Sequence, residues 1–276
     1  MIPKNIIQIC IGEETDTHRY WLHLAKKWKM DYPDWNHKVY RDEEIEEIVK
    51  NYSEEAWEFY DDCPIFSYKA DFARLILLHT FGGLYIDIDS RPNLDIDTYV
   101  IHSDGIKWGF YFNINEHEDP WEVVTNNHLA AAEQESDMIK EMIDNILDGY
   151  KNLRSSEKDK DAWEELGFEF VELVSTSAWG RMLKARLDQI HGSDYIQHHI
   201  SSGYGKVGVF WITWDGENIK IRKNRNFITH VGAIIIKDFL DTNIPEDPMQ
   251  RIGKLYEGLI PHNGEIKIYS GGLDGV

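Results

Sequence analysis

The stretch that most constrains the fold of this chain is KADFARLILLHTFGGLYIDID, residues 69–89. Apolar residues recur almost all round from 67 to 80, which is typical of a helix packed inside a domain. Gly82-Gly83 supplies the left-handed stop expected just past a helix end. LYIDID then has the pattern of a buried strand. The sequence therefore predicts a buried helix followed at once by a buried strand.

Four ionisable side chains interrupt this apolar stretch, and they form two pairs. Ionised groups are rarely buried unless they are paired, hydrogen-bonded or bound to a metal. Asp71 and Arg74 are three residues apart and share a helix face, while Asp87 and Asp89 are two apart and would share a strand face. We therefore expect the two side chains of each pair to point in the same direction and to have a functional role.

The remaining sequence predicts an α/β protein. The first part alternates strand and helix patterns, with strands expected in residues 4–12 and 37–44 and helices in 16–33 and 42–52. Further predicted elements are an amphipathic helical region at 126–150, an exposed polar boundary at 154–161, a helix at 177–190 and a hairpin at 208–224 that turns at Asp215-Gly216. Residues 240–276 give no clear pattern.

Charge and composition exclude several classes of function. The formal charge of −20 repels nucleic acid and anionic membranes, so we expect no nucleic-acid partner. No signal peptide is recognised, and no run approaches the roughly 20 apolar residues of a membrane span, so we expect no stable membrane insertion. Cys10 and Cys63 are expected to be free thiols in a reducing compartment, the cytoplasm; a disulfide between them is the alternative.

The carboxylates of Asp87 and Asp89 follow the predicted buried strand. Ligands of α/β sheets bind beyond the carboxyl ends of strands, and two carboxylates there can hold Mg²⁺ or Mn²⁺. The same Asp-x-Asp pattern occurs at 95–97 and 159–161, in a loop and in a charge run. Only the first instance follows a buried strand, and a solvated or capping pair is the alternative interpretation of it.

Three blocks of sequence carry a family resemblance. IPKNIIQ at 2–8, YPDWNHKVYRDEE at 32–44 and ADFARLILLHTFGGLYIDID at 70–89 resemble, in that order, the blocks of the DXD-containing glycosyltransferases. That family includes the yeast outer-chain mannosyltransferase, capsular polysaccharide sugar transferases and, more distantly, the large bacterial cytotoxin glucosyltransferases. The resemblance covers the first third of the chain.

The resemblance implies a GT-A fold, an α/β nucleotide-sugar-binding domain with a mixed central sheet flanked by helices. We expect this domain to occupy residues 1–240, with a helical insertion around 125–190. Residues 241–276 would form a C-terminal extension packed on the same domain.

The resemblance also assigns site residues. Asp87 would contact the ribose or the donor sugar, Asp89 would ligate Mn²⁺ or Mg²⁺ together with Asp87, and Asp71 and Arg74, with Gly83, would contribute to the donor-sugar site. Asp87, Asp89 and Arg74 are the predicted catalytic residues. A plain ion pair within the helix remains the alternative for Asp71 and Arg74.

The implied nucleotide pocket lies at the end of the first strand, where Ile9, Cys10 and Ile11 join Asp87 as predicted nucleotide-binding residues. Members of the family commonly have Trp where this chain has Cys10, and that aromatic ring can stack on the base. The departure leaves the preference for a nucleotide open, and Cys10 is expected to be pocket wall.

A further metal ligand is expected from the C-terminal third, at His230 in FITHVGA. His198-His199 is a weaker alternative, because adjacent strand positions point to opposite faces. Residues 175–180 and Asn126-Asn127 lie roughly where family members have donor-loop and acceptor-side residues.

The predicted function is metal-dependent transfer of a hexose from a nucleotide-diphosphate sugar, a UDP- or GDP-hexose, to an acceptor hydroxyl. The acceptor would be a glycan, a lipid or a protein, and the family implies retention of anomeric configuration. A metal-independent glycoside hydrolase and a non-catalytic sugar-binding module are the alternatives.

Overall fold

A computed structural model describes residues 1–12, 16–63, 65–92, 106–115, 122–155, 173–174, 176–192, 208–223 and 228–230. Its helices are α1 (Asp16–Asp31), α2 (Asp42–Tyr52), α3 (Glu54–Asp62), α4 (Phe66–Phe81), α5 (Asp137–Ser155) and α6 (Thr176–His191). Its strands are β1 (Asn5–Ile9), β2 (Asn36–Tyr40), β3 (Gly83–Ile86), β4 (Ser90–Pro92), β5 (Trp108–Asn115), β6 (Glu122–Ala132), β7 (Gly208–Trp214), β8 (Ile219–Lys223) and β9 (Ile228–His230).

Seven strands form one mixed sheet in the order β2-β1-β3-β6-β5-β7-β8. Strand β1 pairs in parallel with β2 and with β3, whereas β3 pairs antiparallel with β6. Strands β4 and β9 form a separate antiparallel pair. The carboxyl ends of β1, β2 and β3 therefore meet at one edge of the sheet, the edge at which α/β proteins bind ligands.

Helices cover both faces of this parallel part. Ile7 and Ile9 of β1 lie in the main core with the buried residues of α4, while Cys10 packs in a second cluster with Ala25 of α1. Successive strand residues point to opposite faces, so α4 and α1 lie on opposite sides of the sheet. The predicted α/β class and the mixed, helix-flanked sheet are confirmed.

Helix α4 is buried along residues 72–78, as its all-round apolar pattern predicts. It ends at Gly82, whose φ of +60° confirms the predicted glycine stop. A Cβ on Gly83 would lie 2.5 Å from the Asn5 carbonyl oxygen. The second glycine therefore allows β3 to start directly against β1.

The predicted helical region at 126–150 is wrong in its first part. Residues up to Ala132 belong to β6, which pairs with β3 on one side and with β5 on the other, and α5 begins only at Asp137. Ala130, Ala131 and Ala132 are fully buried. Alanine favours helix, but pairing with two neighbouring strands overrides that preference here. Residue 125, the predicted start of an insertion, thus lies in the central sheet.

Helices α1, α2 and α6 follow the sequence patterns closely, whereas α3, β4 and β5 were not predicted. The Ser53 hydroxyl oxygen caps α3 by accepting a hydrogen bond from the Ala56 amide at 3.0 Å, a signal that the sequence analysis missed. The hairpin of β7 and β8 is confirmed, and it turns at Gly216 with φ of +106°. Asp215 Oδ1 accepts hydrogen bonds from the backbone amides of Glu217, at 3.0 Å, and Asn218, at 2.7 Å.

The predicted C-terminal extension at 241–276 lies outside the described residues, as does the polar boundary beyond Ser155. In the part of the chain that the structure describes, no helix has both the length and the apolar character needed to cross a bilayer. Cys10 and Cys63 are both buried, and they are not joined by a disulfide.

Candidate active site

Asp87 and Asp89 lie in a turn, not in the strand itself. Strand β3 ends at Ile86, and the Ser90 amide donates a 3.0 Å hydrogen bond back to the Asp87 carbonyl oxygen. The expectation that the strand period puts both carboxylates on one face is therefore wrong. Both residues lie in a four-residue turn that closes directly after the strand.

Arg74 joins the helical pair of charges to this turn. Its Nη2 atom donates to Asp71 Oδ1 one helical turn earlier, and its Nη1 atom lies 3.5 Å from Asp87 Oδ1. The Arg74 side chain is 6% exposed, against 15% for Asp71 and 23% for Asp87. The guanidinium is thus a buried bridge between two carboxylates that remain accessible from solvent.

Two aromatic rings enclose the Arg74 guanidinium. Its Cζ lies 4.5 Å from the ring centre of Tyr85 and 5.8 Å from that of Trp179. Burial alone would lower the pKa of Arg74, but attraction to Tyr85, Asp71 and Asp87 raises it above its ordinary value. The guanidinium therefore stays charged and fixed in place.

Tyr85 also binds the first carboxylate of the turn. Its hydroxyl donates a 2.7 Å hydrogen bond to Asp87 Oδ1. Burial raises the pKa of Tyr85 well above its ordinary value, so the hydroxyl keeps its proton and acts as a donor. Tyr85 and Arg74 together fix the orientation of the Asp87 side chain.

A second chain of hydrogen bonds supports the backbone of the turn. Gln8, fully buried in β1, donates from Nε2 to the Asp87 carbonyl oxygen at 3.1 Å, and its Oε1 lies 2.8 Å from His37 Nε2. Burial and then the charge of Lys29 lower the pKa of His37 to about 4. A neutral His37 with its proton on Nε2 completes this chain from β2 to the turn.

The far end of the turn is held by α1 and β9. The buried Trp28 indole donates to the Ser90 carbonyl oxygen at 2.8 Å. In the β4–β9 pair, Ser90 stands opposite His230. His230, predicted from sequence to be a metal ligand, lies 140 residues after Ser90 in the chain. The pairing of β4 with β9 nevertheless places it opposite Ser90, the residue that follows Asp89.

The predicted nucleotide-binding residues lie at the carboxyl end of β1, the same edge as Asp87. Ile9, Cys10 and Ile11 are buried, and Cys10 Sγ accepts a 3.2 Å hydrogen bond from Arg41 Nη1. These side chains are packed in the interior, and their predicted part in nucleotide binding stays a prediction.

Other predicted residues lie elsewhere. Gly83 opens β3 and packs against Asn5, at the opposite end of the strand from Asp87, about 13 Å away for four extended residues. Asn126-Asn127 lie in β6, and α6 begins at Thr176, within the predicted segment 175–180. His198-His199 lie outside the described residues.

The donor set of the turn suits a hard divalent cation. Asp71 and Asp87 both contact the Arg74 guanidinium, and together with Asp89 of the same turn these side chains carry a formal charge of −2. Carboxylate oxygens and a net negative charge are what Mg²⁺ and Mn²⁺ prefer. Within the described residues, no three His, Cys, Asp or Glu side chains form a complete metal site by themselves.

Sequence reasoning missed the residues that hold this site together: Tyr85, Gln8, His37, Trp28 and Trp179. Tyr85 offered a usable signal, because it is two residues before Asp87 on the same strand pattern. The others come from β1, β2, α1 and α6, and only the tertiary fold brings them to the turn.

Part of this chain is similar in sequence to known glycosyltransferases. Residues 18–106 match the family described as "Glycosyltransferase sugar-binding region containing DXD motif". An initiation-specific alpha-1,6-mannosyltransferase of Candida albicans is 32% identical over 110 residues, which are 38% of this chain and 28% of that protein. An uncharacterized glycosyltransferase, L373, of Acanthamoeba polyphaga mimivirus is 33% identical over 116 residues, 41% of this chain and 43% of that protein. The chain thus spans less than half the length of these relatives.

The solved structure titled "PaToxG Glycosyltransferase" shares the fold. It superposes with a TM-score of 0.51 at 15% identity, covering 73% of this chain and 75% of that chain. The matched segment, residues 18–106, includes α4, β3 and the Asp87–Asp89 turn. Residues 18–106 are therefore similar to the sugar-binding region of DXD-containing glycosyltransferases, and the chain shares the mixed, helix-flanked sheet of a GT-A-type domain.

Proposed function

We propose that this protein is a metal-dependent glycosyltransferase that moves a hexose from a nucleoside-diphosphate sugar to an acceptor hydroxyl with retention of configuration. The observation that carries the proposal is the Asp71–Arg74–Asp87 bridge at the carboxyl edge of the sheet, directly beside Asp89. The donor is a UDP- or GDP-hexose, and the acceptor is a glycan, a lipid or a protein.

The half-buried carboxylates are suited to bind sugar hydroxyls. Asp71 and Asp87 are each oriented by the Arg74 guanidinium and keep solvent-facing surface. An ionised carboxylate accepts hydrogen bonds from hydroxyls, and a fixed one does so at low entropic cost. Because Arg74 is buried and already bridges two acids, its role in our proposal is to position them, more than to touch the leaving group.

Asp87 and Asp89 would hold Mn²⁺ or Mg²⁺, with His230 as a further ligand. The register of β4 and β9, which puts His230 opposite Ser90, supports including this distant residue. When bound, such an ion supplies a positive charge that neutralises the departing diphosphate. The turn itself is stiffened by Tyr85, by Gln8 and by the Ser90 amide, so the ligand oxygens are preorganised.

A glycoside hydrolase fits this arrangement less well. Hydrolases pair an acid that carries a proton with a second carboxylate across the scissile bond. Here Asp71 and Asp87 contact the same guanidinium, which favours two ionised carboxylates. Cys10 and Cys63 are buried and form no disulfide, which supports our expectation of a reducing, cytoplasmic location.

The test is donor hydrolysis or transfer measured with a panel of UDP- and GDP-hexoses and Mn²⁺. We expect turnover by the wild type, loss of turnover on chelation with EDTA, and loss of turnover in Asp89→Asn. Asp34→Asn, at an exposed acid in the turn before β2, is the matched control and should stay active. Chelator-resistant turnover, or normal activity in Asp89→Asn, would refute the proposal.

A further inference from the structure

The hydroxyl of Ser90 is buried directly after the two carboxylates of the turn. Ser90 is 0% exposed, and within the described residues its Oγ atom has no hydrogen-bond partner. A buried hydroxyl without a partner gives up its hydrogen bonds to water and gains none in return. Such groups are rare in folded proteins, and each one calls for an explanation.

The backbone of Ser90, by contrast, is engaged at both peptide groups. Its amide donates to the Asp87 carbonyl oxygen at 3.0 Å, and its carbonyl oxygen accepts a hydrogen bond from the Trp28 indole at 2.8 Å. The residue is therefore held in place, and its side chain alone is left to meet a further partner.

The pairing of β4 with β9 indicates which residue can approach this hydroxyl. Ser90 stands opposite His230, and Pro92 stands opposite Ile228. Hydrogen-bonded and non-hydrogen-bonded pairs alternate along an antiparallel ladder, and a proline has no amide hydrogen to exchange. Pro92 therefore belongs to a non-hydrogen-bonded pair, and so does Ser90, which lies two residues earlier.

The backbone contacts of Ser90 agree with this assignment, because Asp87 and Trp28 use its amide and its carbonyl oxygen. In non-hydrogen-bonded pairs the two Cα atoms are about 4.5 Å apart, and side chains at opposite positions share one face of the ladder. A hydroxyl and an imidazole at two such positions are within hydrogen-bonding reach of each other.

A serine hydroxyl is suited to the outer side of a metal-bound histidine. A histidine that binds a metal through one ring nitrogen almost always donates the N–H of the other to an acceptor, which fixes the tautomer and the ring. A hydroxyl oxygen has two lone pairs and accepts such a bond. In the proposed function His230 binds the ion with Asp89, the residue that precedes Ser90.

We propose that the Ser90 hydroxyl accepts a hydrogen bond from the His230 imidazole and so holds the ring in place for the metal ion. The inference rests on the proposed function and adds to it a residue outside the Asp87–Asp89 pair. Ser90 is a positioning residue, because it acts on the ion only through His230.

The experiment measures the Kd of Mn²⁺ by electron paramagnetic resonance in the presence of UDP or GDP. Ser90→Ala should raise this Kd about tenfold, the lower end of the range for outer partners of metal-bound histidines. Ser90→Thr and Ser90→Val have the same shape and differ in one hydroxyl, so Ser90→Thr should bind Mn²⁺ about tenfold more tightly than Ser90→Val. Ser136→Ala removes another buried serine hydroxyl, just before α5, and should match the wild type.

Two further measurements distinguish this role from a structural one. In a double-mutant cycle, Ser90→Ala should add no loss of Mn²⁺ affinity once His230→Ala has removed the imidazole. In urea without Mn²⁺, Ser90→Ala should not lower the unfolding midpoint, because the deleted hydroxyl has no partner among the described residues. A lower midpoint would assign the hydroxyl a structural role instead.

The outcomes separate this inference from the proposed function. Wild-type affinity in Ser90→Ala, or equal affinities of Ser90→Thr and Ser90→Val, overturns the positioning role and leaves the proposed function standing. An undiminished effect of Ser90→Ala in the His230→Ala background also overturns it, because the hydroxyl would then act without the imidazole. A wild type that takes up no Mn²⁺ with either nucleotide overturns both.

Discussion

At the scale of single residues, the site depends on how one guanidinium is shared. Sequence spacing identified Asp71, Arg74, Asp87 and Asp89, because charges in an apolar stretch need partners. It did not reveal that Arg74 reaches Asp87 as well as Asp71. That contact depends on the packing of α4 beside the end of β3, which no spacing along the chain encodes.

Tyr85→Phe tests the orientation of Asp87. The change removes the hydroxyl that donates to Asp87 Oδ1 but keeps the ring beside Arg74. A hydrogen bond to a charged acceptor contributes about 1.5 to 3 kcal/mol, so kcat/KM should fall about tenfold or more without unfolding. Tyr52→Phe, whose ring contacts His79, is the control and should keep wild-type kinetics. Unchanged kcat/KM in Tyr85→Phe would show that Asp87 needs no such donor.

At the scale of elements, the two glycines between α4 and β3 set the position of the site. Gly83 has a φ of +122°, and a side chain there would meet the backbone of Asn5. Gly83→Ala should therefore lower the free energy of unfolding by about 3 kcal/mol or more, from strain and overpacking together. Urea unfolding measures this change.

Gly192→Ala is the matched control for that substitution. Gly192 also has a positive φ, +94°, but nothing lies within 4 Å of the position of its Cβ. Only conformational strain applies there, so the loss should be about 1 kcal/mol. Equal losses in the two variants would mean that the contact of β3 with Asn5 does not restrict residue 83.

Elements with a clear period were predictable, and those decided by pairing were not. The apolar period of α2 and the Asp-Gly turn of the β7–β8 hairpin are local signals, and both elements were predicted. Strand β6 was mistaken for helix because its alanines are strong helix formers, and pairing in the sheet overrides that preference. Its strand state comes from pairing with β3, which is distant in sequence, and with β5, which precedes it in the chain.

At the scale of the whole molecule, the fold couples its stability to the protonation of His37. The pKa of His37 is lowered from 6.5 to about 4. Between pH 6.5 and about 4 the unfolded chain therefore binds a proton at this residue that the folded chain does not bind. The free energy of unfolding should therefore fall as pH drops from about 6.5 to 4, by about 2 kcal/mol from this residue. Comparing wild type with His37→Gln in urea at several pH values isolates the effect. Parallel pH profiles would contradict it.

Residues from both ends of the described chain meet near the Asp87–Asp89 turn. The sequence predicted only some of them. His230 was predicted from a loose match, and the β4–β9 register puts it opposite Ser90. Gln8 and His37 were not predicted, because a buried glutamine and a histidine in a strand have many structural uses. Their contacts become apparent only when β1, β2 and β3 are aligned side by side.

The most direct test of the account is binding of Mn²⁺, followed by electron paramagnetic resonance in the presence of the nucleoside diphosphate that the protein binds. We predict that the wild type and Asp34→Asn take up the ion at one site, and that Asp87→Asn and Asp89→Asn lose this binding while remaining folded. Undiminished uptake of Mn²⁺ by Asp89→Asn, in a folded protein, would contradict the central claim that the turn after β3 holds the ion.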